Sequence, residues 1–164
     1  MSKNALFLRV SKATLLALAM GGATATHAAT ATGTIAVSAT VLSSCLLATS
    51  PMVFGNYNPS TQSTATAALT VTCSNGISYT VAINEGANGG TTTTRLMSGP
   101  GSDTLGYKVW QNAGFTTNWD NAGSTVAGTG SGLPQILTVY GTIQAGQSVA
   151  PGAYTDTLTV TVTY

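Results

Sequence analysis

From Gly33 to Leu42 the chain alternates, with Ile35, Val37, Ala39 and Val41 on one phase and Thr34, Ala36, Ser38 and Thr40 on the other. Successive side chains of an extended strand point to opposite faces, so this period of two predicts a β-strand with one apolar face. The same period returns at Ala67, Leu69, Val71 and Cys73, and again at Ile77, Tyr79, Val81 and Ile83. Between these runs stands Asn75-Gly76, a pair suited to a tight turn, and residues 69–84 are therefore predicted as a β-hairpin. Leu105, Tyr107 and Val109 alternate as well, as do residues 135–143. In the final run, 153–164, Leu158, Val160, Val162 and Tyr164 share one face and threonines occupy the other. Shorter candidates are 45–47 and 52–57, separated by Pro51, which has no N–H to give a central ladder. Residues 84–94 and 121–132 read as glycine- and threonine-rich loops, and no long amphipathic helix follows residue 28.

Roughly six strands thus follow Cys45, whereas a β-sandwich of this size needs about seven to cover both faces of its core. The segment 33–42 is the candidate seventh. Alternation reports that one face is buried; it does not say whose core buries it. A first strand pairing within its own chain and a strand lent to another molecule both satisfy the pattern.

Composition narrows the setting. Threonine is the commonest residue, with 30 copies, glycine has 19, and only 5% of residues are charged. A β-branched, turn-rich, weakly charged chain with 43% hydrophobic residues points to an all-β exported protein rather than to disorder. Lys3, Arg9 and Lys12 precede the apolar run 13–22, and small residues lead to Ala28. That is the layout of a secretory signal, predicted as residues 1–28 and removed after Ala28; the run is too short to span a bilayer. The remaining chain, one domain's worth, keeps Arg95 and Lys108 against Glu85, Asp103, Asp120 and Asp156, a net charge of −2. Nucleic-acid binding needs clustered Lys and Arg and is not expected, and neither is membrane insertion.

Catalysis finds little support. The single histidine, His27, lies in the signal segment, so Ser-His-Asp and Cys-His arrangements are absent from the exported chain. Glu85, Asp103 and Asp120 have no spacing typical of a calcium loop, and the glycine-rich stretch 84–90 lacks the Lys-Ser/Thr of a phosphate loop. The expectation is a non-enzyme with no cofactor and no metal. Cys45 and Cys73, the only cysteines, are expected to form one disulfide in an exported protein, closing a loop worth about 3–4 kcal/mol on the chain-entropy model. Trp110, Phe115 and Trp119 are either packing residues over one end of the sheet or an exposed platform, with packing the commoner fate.

Taken in order, Cys45, FGNY (54–57), LTVTCSNG (69–76), YTVAINEG (79–86), RLM (95–97), LGYKVW (105–110), VYGTI (139–143) and PGAYTDTLTVTVTY (151–164) resemble the spore coat U domain family. This family includes the major subunits of archaic (Csu-type) chaperone–usher pili. The resemblance implies an incomplete immunoglobulin-like β-sandwich that lacks its final strand, comprising residues 45–164. Residues 29–44 become a donor-strand extension, with Ile35, Val37, Ala39 and Val41 as the inserting side chains. The receiving groove and core would draw on Leu69, Val71, Tyr79, Val81, Leu158, Val160, Val162 and Tyr164, and the family disulfide maps to Cys45–Cys73. The implied partners are identical subunits joined head-to-tail, a periplasmic chaperone, an outer-membrane usher and a separate tip adhesin. The implied location is an extracellular pilus reached through the periplasm, serving attachment and biofilm formation, and the chain's size fits a stalk subunit. Two other readings fit the residues less fully: a secreted monomeric binding module for carbohydrate or another surface, and a coat or matrix protein that polymerises without an usher.

Overall fold

The computed structural model describes residues 28–164; the predicted signal segment lies outside the described residues up to residue 27. Nine strands are present among them: β1 (Cys45–Thr49), β2 (Ser63–Cys73), β3 (Ser78–Ile83), β4 (Gly90–Thr91), β5 (Thr94–Ser98), β6 (Thr104–Trp110), β7 (Val126–Thr129), β8 (Gln135–Ile143) and β9 (Val160–Thr163). They form a six-stranded sheet in the order β1-β2-β8-β6-β5-β4 and a three-stranded sheet in the order β7-β3-β9. Every pairing is antiparallel. The apolar phases of both sheets meet in one core, to which the larger contributes Leu69, Val71, Val109 and Val139, and the smaller Tyr79, Val81 and Ile83. The protein is an all-β sandwich of the immunoglobulin-like kind, carried by the compact unit Thr40–Tyr164.

Three sequence expectations are corrected. Residues 69–84 are not a hairpin: β2 pairs with β1 and β8, and β3 with β7 and β9. Asn75-Gly76 does turn the chain, with Ile77 N–H donating to Ser74 O at 3.2 Å, but the turn passes from one sheet to the other. Both edges of β2 are already occupied, one by the strand that its own Cys73 bonds to, so no edge remains for β3.

Strands are also more numerous than the six expected after Cys45. β4 and β7 lie in stretches read as loops, since a backbone can pair without any apolar alternation to announce it. In contrast, residues 52–57 form no strand, and the final run joins a ladder only at Val160–Thr163, preceded by an isolated bridge from Thr155 to Ser98. Those two irregular segments frame the site described next.

One buried group was invisible to the pattern. Arg95, on the inward phase of β5, is 0% exposed. Its Nε donates to Asn84 O (2.7 Å), Nη1 to Thr92 O (2.6 Å), and Nη2 to both Ile83 O (3.1 Å) and Trp119 O (2.7 Å). The guanidinium thereby ties three segments of backbone together, and burial pulls its pKa below the ordinary arginine value. Trp119 beside it is equally buried and donates Nε1–H to Val81 O at 3.0 Å. Trp110, the last residue of β6, is half-buried, its Nε1 donating to Thr142 Oγ1 at 2.9 Å. The three aromatics therefore do not make one exposed platform, because Trp119 is a core residue.

Candidate functional site

A long apolar groove opens between the β1 edge of the large sheet and the β9 edge of the small one. Its upper part, about 390 Å³, is bounded by Thr49–Met52 on one side and Tyr154–Val160 on the other, with Leu69, Ile83 and Val139 at its floor. A second part, about 780 Å³, continues between residues 52–57 and 147–154. The two share Met52, Phe54, Met97 and Tyr154, so they form one trough along the domain.

The walls explain why it stays open. The last ladder-like bond on the β1 side is Ser50 N–H to Ala68 O at 2.9 Å. Beyond it Pro51 has no N–H, and the main chain of Met52–Phe54 finds no backbone partner among the described residues. Their side chains still turn inward, since Gly141 on β8 leaves a notch where a Cβ would overlap Met52 Sδ and Phe54 Cζ. On the opposite wall Thr155 pairs with Ser98, and Thr159 pairs with Asn84, whose N–H donates to Thr159 O (3.1 Å) and whose Oδ1 accepts Thr159 N–H (2.8 Å). Because a strand's backbone groups alternate sides, those of Asp156, Leu158, Val160 and Val162 point to the free edge. Both lips of the trough thus carry unpaired backbone above half-buried aliphatics.

Of the residues expected at a groove or core, Leu69, Leu158 and Val160 line the trough. Val71, Tyr79 and Val81 sit deeper, in the closed core, and Val162 is half-buried on β9. Tyr164 is 58% exposed, because the last β3–β9 pair is Thr80 with Thr163 and the chain has left the sheet by Tyr164. Cys45 and Cys73 are disulfide-bonded at the start of β1. Ile35, Val37 and Val41 are 90%, 89% and 89% exposed, Ala39 is exposed too, and none belongs to a strand. The sequence reading missed Met52, Phe54 and Asp156 as groove residues. For Asp156 the alternation with Leu158 and Val160 was the available signal.

The carboxylates have structural partners and do not converge. Asp103 Oδ2 accepts Ala150 N–H at 2.7 Å, and Glu85 Oε2 accepts Asn121 Nδ2–H at 3.4 Å. Asp120 Oδ1 accepts three backbone N–H groups, from Ser124 (2.7 Å), Gly123 (2.9 Å) and Ala122 (3.0 Å). The Ser124 N–H, followed by those of Ala122 and Gly123, holds the Asp120 carboxyl below its ordinary value. A depressed carboxylate stabilises the fold above its unfolded pKa, and that contribution disappears as pH falls through the folded value. Unfolding followed by tryptophan fluorescence is expected to show a loss of stability below about pH 4 that is shallower in Asp120→Asn.

A model of the Spore Coat Protein U domain matches residues 31–161, spanning the exposed N-terminal segment as well as the grooved body. The chain belongs to this family. This Spore Coat Protein U domain is 29% identical over 156 residues to Protein U of Myxococcus xanthus, covering 84% of this chain and 87% of that protein. Its fold resembles the crystal structure of the CsuC–CsuE chaperone–tip adhesion subunit pre-assembly complex from archaic chaperone–usher Csu pili of Acinetobacter baumannii. The TM-score is 0.57 at 22% identity, and the match covers 76% of this chain and 41% of that one.

Proposed function

We propose that this chain is a structural subunit, in the role of a major pilin, of a chaperone–usher-type pilus. Residues 33–41 of one copy enter the trough of the next as its missing strand. The observation that carries this reading is a complementarity within one chain: a groove with two unpaired lips and an apolar floor, together with an exposed segment of alternating aliphatics that lacks a sheet. Such a segment supplies main-chain hydrogen bonds to a free edge and seats alternate side chains below it. Ile35, Val37 and Val41 each contribute about 1.5–3 kcal/mol when fully buried. An unfilled apolar groove is an aggregation hazard, which is the physical reason for a chaperone that occupies it before assembly. The resemblance to a chaperone–subunit complex supports that partner. Each donor serves a different molecule, so the contact is head-to-tail and produces an open filament. The usher, a separate tip adhesin, display outside the cell and a part in biofilm formation follow from the same reading.

The test is a denaturing gel of material sheared from cells that express the native chain, loaded unboiled and boiled. A ladder of multiples that collapses to one band on boiling is the expected result. A lone monomer band in both lanes would instead favour a secreted module that closes its own sandwich.

A further inference from the structure

One inward position on the β9 wall carries a carboxylate. Asp156 follows Tyr154 and precedes Leu158 on the groove phase, and its carboxylate is fully engaged. Oδ1 accepts Ala87 N–H (2.9 Å), Asn88 Nδ2–H (2.9 Å) and Thr157 N–H (2.8 Å), while Oδ2 accepts the Tyr107 hydroxyl (2.6 Å). Burial, reinforced by the bond to Asp156, pushes the Tyr107 phenol up. The glycine-rich loop closes in from behind: Gly86, at φ 96°, packs so tightly that a Cβ there would overlap Asp156 Oδ2. At this level the wall of the trough is a carboxylate bonded to a phenol and held from behind by a loop. A branched aliphatic laid here would be set against a polar cluster, whereas a methyl group places the least apolar surface there. Only one of the four inward donor residues is that small.

We propose that the donor seats in a single register set by Asp156. Ala39 lies beside Asp156, Val37 beside Leu158, Ile35 beside Val160 and Val41 beside Tyr154, and the donor runs antiparallel to β9. This register rests on the strand-donation reading above. The direction follows from what each alternative covers. The antiparallel donor places Val37 and Ile35 on the half-buried Leu158 and Val160. A parallel donor anchored at the same point would bring polar Ser43 to Val160 and strand Ile35 beside Gly152. Every described strand pair is already antiparallel, and antiparallel pairing is somewhat the more stable per residue. The NEGANGG loop, unexplained by any ligand chemistry, acquires a role: it holds Asp156 in place and so marks where the small donor residue sits.

Paired cysteines on the outward phases test the register in assembled fibres. Directly opposed residues have Cα atoms about 4.5–5.5 Å apart, within disulfide reach, and a slip of two residues adds roughly 6.7 Å along the strand. Ser38→Cys with Thr157→Cys is expected to give a ladder that survives boiling and collapses with reductant. Thr34→Cys with Thr161→Cys, a second rung of the same register, should behave alike if the first pair assembles poorly. Ser38→Cys with Thr159→Cys should stay boiling-sensitive. A covalent ladder from the slipped pair, or from no pair in fibres whose unboiled ladder is intact, would overturn the register and leave strand donation standing. Loss of the unboiled ladder in the native chain would overturn both. From the donor side, Ala39→Ile is expected to lower the yield of ladder about tenfold by overpacking against Asp156; a native yield would contradict the placement.

Discussion

Val37→Asp is expected to abolish the unboiled ladder while leaving the amount of exported subunit unchanged. The substitution removes a branched aliphatic worth about 1.5–3 kcal/mol when buried. It also places a carboxylate against the Leu158 side of an apolar trough, where an unpaired charge costs several kcal/mol more. Together these exceed what one inserted strand is expected to spare. Val37→Ala removes only the packing part and should give a ladder that collapses at a lower temperature. Immunodetection of total and sheared subunit, with and without boiling, separates failed assembly from failed export. Fibres of normal length in Val37→Asp would count directly against strand donation, since no other described segment combines exposure with a matching alternation.

The second large effect is predicted at Arg95, a buried residue that is not itself among those lining the trough. Arg95→Ala would leave four carbonyl oxygens, those of Ile83, Asn84, Thr92 and Trp119, without their charged donor. Removing one partner of a buried, charge-assisted network typically costs about 3–5 kcal/mol, a large share of the roughly 5–15 kcal/mol that holds a typical domain together. Arg95→Lys keeps the charge but not the planar fork, and about half of that loss is expected. Urea unfolding of the native chain and the two variants, followed through the buried Trp119, checks both values. A midpoint for Arg95→Ala within experimental error of the native one would mean that water replaces the guanidinium at no cost.

These two residues illustrate what a linear pattern reveals. Val37 sits in an unbroken alternation, and that period of two is enough to mark its side chain as one meant for burial. Arg95 is the reverse case: a cation on the inward phase of a short strand, two residues before Met97. Nothing in the linear pattern favours its burial, because the four carbonyls that offset its desolvation come from chain segments between 3 and 24 residues away. Met52 and Phe54 were legible as apolar but misplaced in a strand, since their inward turn depends on the notch at Gly141. The hairpin expected at Asn75-Gly76 failed for a related reason: the turn chemistry is local, and the choice between pairing back and crossing over is not.

By itself the sequence determined the all-β class, the apolar phase of each long strand, the cysteine pair and the lack of any histidine between residues 28 and 164. Each of these depends on local periodicity or on residue inventory, which survive in one dimension. Only the tertiary structure decided that two sheets leave a trough between β1 and β9, that Arg95 is buried, and that the Asp156 carboxylate lines that trough bonded to Tyr107. Those outcomes depend on which distant backbones share an edge and which carbonyls meet one side chain. Free edges and filled pockets are properties of neighbours in space, and chain order does not specify them.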